Sequence, residues 1–280
     1  MEVRGSNIEE ASLAVRPALS RAVRWQVLAV IEALEYCLED LSEPNVHALR
    51  VAARHLSPAL EVLNELDRKK RTTRKAQRLL RALMDITGPL RDQQLRCLHF
   101  RSRRSHSALR AALLRDAERE LRAEVATALD RLDRLDMAPL RSLVVVPLSE
   151  LNAQAVKLAL NKTLKHCARR LRTRLGELEA EVPRTIHRAR VALKRYRYTI
   201  KAFHKYLPVG RTAGLACLER HQKSLGRWHD ERVMADWLME VSRRIQPSVR
   251  RSCAVQATVW TRRCQREEAQ LVSALRRMVL

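Results

Sequence analysis

The sequence has little of what turns and strands are made from. Six Gly and nine Pro in 280 residues are too few for the many tight reversals of a sandwich or barrel, while Ala, Leu and Arg, all strong helix formers, recur throughout. An all-α fold is the expectation. Aromatics make up only 4% of the chain, too sparse for a surface that recognises single-stranded nucleic acid by stacking bases on rings. Trp25, Trp228, Trp237 and Trp260 are expected to anchor cores or interfaces instead. No apolar run approaches the ~20 residues that span a bilayer; Leu143 to Leu148 is the longest tempting piece and falls short, so no membrane insertion is expected. The amino terminus shows no apolar signal core. Six Cys, at 37, 97, 167, 217, 253 and 264, include no CxxC pair and read as reduced thiols of a cytoplasmic protein. A Walker-type glycine loop, H-E-x-x-H, G-x-S-x-G and a Zn-spaced Cys/His set are all missing. Cys97 and His99 are close, but two residues cannot define a metal site. The reading is a protein with no catalytic residues, no metal and no cofactor.

What is present is positive charge. The formal net charge is +24 and the isoelectric point lies near 11, which predicts long-range attraction for polyanions. Nucleic acid, polyphosphate and anionic membrane surfaces all qualify. Of the 55 cations, 10 are Lys and 45 are Arg. A guanidinium fork suits phosphate oxygens, but a biased genomic composition also raises Arg usage, so Arg richness alone decides little.

Spacing decides more. The run TIHRARVALKRYRYTIKAFHKY, from Thr185 to Tyr206, reads as a helix on which His187, Arg190, Lys194 and Arg197 fall within an arc of about 80°. Ala189, Leu193, Ile200 and Phe203 cluster on the far side, so the helix can pack on a core while the cationic stripe faces an anion. An earlier run, VHALRVAARHLS from Val46, matches IHRARVALKRYR from Ile186 at a constant offset of 140 residues, aligning His47 with His187, Arg50 with Arg190 and Arg54 with Lys194. A second pair, MDITGPLRDQQL from Met84 and QKSLGRWHDERV from Gln222, aligns Gly88 with Gly226 and Asp92 with Asp230 at an offset of 138. Two matches in the same order imply an internal duplication. Met137 to Pro147, with two prolines, marks the boundary between a first half, 1–142, and a second, 143–280.

Within each half the punctuation predicts separate helices. Arg78 and Arg81 share a face of a helix over Lys69 to Asp85, which Gly88 and Pro89 should end, and Gly226 should be a second stop. Breaks are also expected at Pro183, Pro208 and Pro247. Asp92 and Asp230, each following such a break, are expected to cap a helix or hold a neighbouring Arg. Glu177, Glu179 and Glu181 form an ExExE string similar to an element of triphosphate-tunnel enzymes; that element needs a strand, and the surrounding pattern is helical, so the string reads as a solvated helix end.

The duplicated His-x-x-Arg-Val-Ala-x-Arg/Lys element, with a Gly-x-x-x-Asp element after each copy, resembles the CHAD family of histidine-containing α-helical domains from about Arg21 to Val279. The resemblance implies two homologous antiparallel helical bundles related by pseudo-two-fold symmetry, with basic residues that line a central cavity or surface and bind inorganic polyphosphate. Carried over by residue, the phosphate-binding candidates are His47, Arg50 and Arg54 in the first half and His187, Arg190, Lys194 and Arg197 in the second, with Arg78, Arg81 and Lys223 weaker. The position matching Arg197 is Ser57, followed by Pro58, so the first half lacks one expected cation and the site should be asymmetric. Polyphosphate as ligand implies a cytoplasmic protein associated with polyphosphate granules. The alternative is a nucleic-acid or ribosome-associated basic module that binds RNA or DNA non-specifically, although no base-reading motif supports it.

Overall fold

The structure is a computed structural model that describes residues 23–66, 71–102, 107–144, 152–207 and 214–278. Among them every regular element is a helix and no strand occurs. In chain order these are α1 (23–39), α2 (Glu43–Leu66), α3 (Arg71–Ser102), α4 (Ala108–Asp133), α5 (Ala138–Val144), α6 (Ala153–Gly176) and α7 (Pro183–Phe203), a 3-10 turn at His204–Tyr206, then α8 (Leu215–Arg244) and α9 (Pro247–Arg276). The all-α expectation holds.

Local chemistry sets several helix starts. The Ser107 hydroxyl accepts from the Arg110 N–H at 3.2 Å, and the Asn152 side chain accepts from the N–H groups of Gln154 and Ala155 at 2.8 and 3.3 Å, in each case satisfying donors that the first turn leaves without intrahelical partners. Pro183 and Pro247 open α7 and α9, where a missing N–H costs nothing. Pro208 lies outside the described residues. Both expected glycine stops are overridden. Helix α3 runs unbroken through Gly88 and Pro89, and α8 through Gly226. In α3, Gly88 has no Cβ to clash with the proline ring. Arg50 donates to the Met84 carbonyl and the Thr87 hydroxyl, each at 2.9 Å, and so braces the turn that the proline disturbs. Asp92 and Asp230 therefore sit inside helices and cap neither; of the two expected roles they keep the second, Asp92 facing Arg96 and Asp230 facing Arg190 and Arg91. The ExExE string is neither strand nor helix: residues 177–182 form a turn, closed by the Thr185 hydroxyl, which accepts from the Glu179 N–H at 3.1 Å and bonds the Val182 carbonyl at 2.8 Å.

Gly226 has open space where a Cβ would stand, so neither crowding nor backbone angle requires glycine there. Gly226→Ala should raise stability by about 0.5–1 kcal/mol, the usual cost of a mid-helix glycine, and urea unfolding followed by circular dichroism checks it.

Two compact units divide the chain. The first comprises Met1–Thr87, Arg131–Arg170 and Arg195–Leu215; the second comprises Gly88–Asp130, Leu171–Lys194 and Ala216–Leu280. Each draws on both sequence halves, and the boundaries fall inside α3, α4, α6 and α7 and after the first residue of α8. In the first unit, α2 buries Val46, Leu49, Ala53, Leu56, Leu60 and Leu63, a three-then-four spacing that keeps one stripe inward over about five turns. Pro58 is buried within this helix, and the chain continues helically past it. In the second unit a core cluster joins Phe100, Leu113, Ala117, Trp237, Leu238, Val241, Val249 and Cys253. All six cysteines are free, and only Cys217 is not fully buried. Trp228 and Trp237 are core residues, at 2% and 4% exposure, whereas Trp25 is 71% exposed.

Candidate anion-binding site

Helix α7 supplies the strongest cluster, which lies in the second unit. Burial of Ile186, Ala189 and Leu193 turns His187 to the surface and leaves Arg190 and Lys194 half-buried. Helix α8 brings His229 beside them, with its ring centroid 5.5 Å from that of His187. The preceding residue fixes that helix: Trp228 is fully buried, and its indole N–H donates to Glu268 of α9 at 3.1 Å. Arg91 of α3 and Asp230 of α8 complete the group electrostatically.

The fields inside this cluster are legible in its titration. Burial pushes the His229 imidazole down to about 3, with Arg190, His187 and Lys194 adding to the effect. Partial desolvation, then Arg190 and Lys194, also lower His187. Asp230 is raised by desolvation, while Arg190, Lys194 and Arg91 pull it back. At neutral pH the cluster therefore presents cationic Arg and Lys beside uncharged imidazoles, each with one ring N–H to donate. An unfolded histidine titrates near 6.5, so as pH falls below about 6.5 the unfolded chain takes up a proton that folded His229 refuses. The stability held above that value is lost progressively toward about pH 3.

In the first unit the outward positions of α2 are His47, exposed, and Arg50 and Arg54, both half-buried. Arg50 holds Met84 and Thr87, as described above. Arg54 joins a second group around His55, whose imidazole is lowered by desolvation and then by Lys201, Arg197 and Arg54. The His55 ring lies 5.8 Å from Tyr198, and the Arg197 guanidinium sits 4.5 Å over the Tyr198 ring. Among the described residues no group of three or more His, Cys, Asp or Glu side chains is arranged to hold a metal ion, and no helix is long and apolar enough to cross a membrane.

The CHAD domain family model matches residues 22–239. The chain belongs to the CHAD family. The crystal structure of the CHAD domain from the plant Ricinus communis has the same fold, with a TM-score of 0.65 at 18% identity over 94% of this chain and 92% of that one. No curated protein matches the sequence.

For this CHAD chain Arg50 is taken up by Met84 and Thr87, and the other nine predicted residues fall into three sets. His187, Arg190 and Lys194 are brought together in the second unit, and Arg54 and Arg197 in the first. His47, Arg78, Arg81 and Lys223 are exposed on their helices. Arg197 does not lie on the open stripe expected of it: it is 7% exposed and belongs to the first unit, whereas His187, Arg190 and Lys194 belong to the second. Sequence reasoning missed His229, Arg91, His55 and Lys201. One signal was available. His229 and Arg91 are separated by the 138-residue offset of the second repeat, each directly before its Asp, so both copies place a nitrogen donor at that position.

Proposed function

We propose that this CHAD domain binds inorganic polyphosphate without turning it over. The observation that carries the reading is the second-unit cluster, where Arg190 and Lys194 meet the neutral imidazoles of His187 and His229 and Arg91 faces the neighbouring Asp230. Fixed cations neutralise phosphate oxygens, guanidinium forks match their geometry, and uncharged imidazoles donate without adding repulsion to the free site. Within the first unit His47, Arg54, Arg78 and Arg81 offer further cations to a long chain, as Lys223 does in the second, whereas Arg50 and Arg197, also candidates by resemblance, are engaged in the fold. The proposal takes residues 1–142 and 143–280 as two copies of one ancestral half, and implies a cytoplasmic protein at polyphosphate granules.

The test is titration with long-chain polyphosphate against RNA at equal charge concentration, repeated from 50 to 200 mM salt. Each phosphate contact should steepen the fall of log affinity with log salt by roughly 0.7, the value for a single-stranded polyanion. Polyphosphate should win the competition. Equal or reversed preference favours a non-specific nucleic-acid module, and phosphate release that depends on Mg²⁺ would overturn the non-catalytic reading.

Affinity should also strengthen as pH falls from about 7.5 to 5.5, because a bound polyanion favours the imidazolium forms of His187 and His229 and binding then takes up protons. The cations facing these groups are Arg190 and Lys194, beside both imidazoles, and Arg91, beside Asp230. Asp230 acts in the same direction, since protonation removes a negative charge from the site. Replacing both histidines by Gln should flatten the profile more than Asp230→Asn does. Calorimetry in buffers of different ionisation enthalpy counts the protons, and uptake unchanged by the double variant would count against the histidines.

A further inference from the structure

One stretch of this strongly basic chain carries no Lys or Arg at all. From Trp25 to Leu49 the charged side chains are Glu32, Glu35, Glu39, Asp40 and Glu43, and the first four are exposed on α1 or at its end. With them stand Trp25, Leu28 and Tyr36, exposed by 71%, 47% and 53%, beside a groove of about 460 Å³ between α1 and α2. On a helix, Trp25, Leu28, Glu32, Glu35, Tyr36 and Glu39 occupy an arc of about 100°. The face is apolar at one end, acidic along its length and unlike the rest of the surface.

Helix α6, in the same compact unit up to Arg170, shows what fits it. The two helices share one burial register: Val30, Ala33, Leu34 and Cys37 of α1 are buried, and so are Leu160, Thr163, Leu164 and Cys167 of α6, each 130 residues later. At that same spacing the exposed faces correspond with charge inverted. Leu28 matches Leu158, which is 60% exposed, while Glu32 matches Lys162, Glu35 matches Lys165, Glu39 matches Arg169 and Asp40 matches Arg170, all exposed. Lys162 is already paired with Glu65 at 2.7 Å; the inverted pattern does not depend on it alone.

We infer that the acidic α1 face docks the basic α6 face of a second copy of this chain. A parallel pairing sets Leu28 against Leu158 and each carboxylate against a cation over about 17 Å of helix. Rim ion pairs contribute little individually, so the apolar end gives the contact its grip and the charges set partner and register. The net charge of +24 opposes any approach of two copies at long range, which makes the acidic face the one region of α1–α2 that a like-charged partner can approach. Salt at about 0.15 M screens the long-range repulsion within roughly 8 Å while sparing short contacts. The inference does not rest on polyphosphate binding.

Charge reversal tests it, in about 0.15 M salt and with no polyanion present. Sedimentation equilibrium on the parent should show a mass rising above 32.3 kDa with concentration. One variant carries Glu32→Lys, Glu35→Lys and Glu39→Lys; the other carries Lys165→Glu, Arg169→Glu and Arg170→Glu. Each alone should self-associate at least about tenfold more weakly, a loss of ~1.4 kcal/mol. An equimolar mixture should recover association, because each variant then offers the face the other needs, and that recovery also shows that both fold. A parent that stays at 32.3 kDa throughout, as it would if the acidic face served a different basic protein, overturns the inference. So does association unaffected by either reversal, or a mixture that fails to recover.

Discussion

Replacing Arg190 and Lys194 together by Ala should weaken binding of long-chain polyphosphate by about 100-fold or more at fixed ionic strength, since a hydrogen bond to a charged partner is worth ~1.5–3 kcal/mol and each 1.4 kcal/mol is tenfold. Both side chains are half-buried on α7, where screening by solvent is reduced, and both act on His187 and His229. The salt dependence should become shallower at the same time, by roughly 0.7 for each lost contact. Arg50, the first-half counterpart of Arg190, provides the contrast. Its guanidinium already serves the Met84 carbonyl and the Thr87 hydroxyl, so Arg50→Ala should show mainly as lost stability, with both bonds to the turn before Pro89 removed. Arg197→Ala should likewise act chiefly on stability, through its buried stack on Tyr198. Isothermal titration and urea unfolding on the same four proteins separate the two kinds of loss. Parent-like affinity in the Arg190/Lys194 variant would remove the second-unit cluster from the site.

The helical class was legible because scarce glycine and abundant Ala, Leu and Arg act locally, residue by residue. The stops at Gly88–Pro89 and Gly226 were misread for the complementary reason. A proline in a helix is costly by itself, but bonds from Arg50, distant in sequence, support the turn around it. In the site, the stripe of His187, Arg190 and Lys194 was readable because three- and four-residue spacing fixes neighbours on one helix. His229 and Arg91 were not readable that way, because the periodicity of α7 carries no trace of what other helices bring near it; only their shared place in the 138-residue repeat marked them. Arg197 shows the limit of angular reading. It lies at the edge of the 80° arc, only ~40° from Leu193 on the helical wheel, and that edge turns inward with Leu193 and Ile200, both buried.

Removing the Glu120 carboxylate should be the most damaging single change to the fold, at about 3–5 kcal/mol for Glu120→Ala. Glu120 of α4 accepts from the Trp237 indole N–H at 2.8 Å and the Gln93 amide at 2.9 Å, and it pairs with Arg96 at 3.7 Å and with Arg244. The Arg96 side chain is only 13% exposed, and its guanidinium lies 5.5 Å over the Trp237 ring. Burial lowers the pKa of Arg96 below its ordinary value, and the carboxylates of Asp92 and Glu240 only partly oppose that. Without Glu120 the Trp237 indole N–H and the Gln93 amide lose their acceptor and the desolvated Arg96 loses an ion-pair partner, in a protein whose whole stability is about 5–15 kcal/mol. Glu120→Gln keeps an acceptor but not the charge, and should cost roughly 1–3 kcal/mol. Adding Arg96→Met to Glu120→Ala should recover part of the loss, because an apolar replacement removes a desolvated charge that Asp92 and Glu240 only partly offset. Urea unfolding followed through tryptophan fluorescence orders the three variants; a loss below about 1 kcal/mol for Glu120→Ala, or no recovery in the double variant, would show that solvent reaches Arg96 and that the carboxylate is not what holds these helices together.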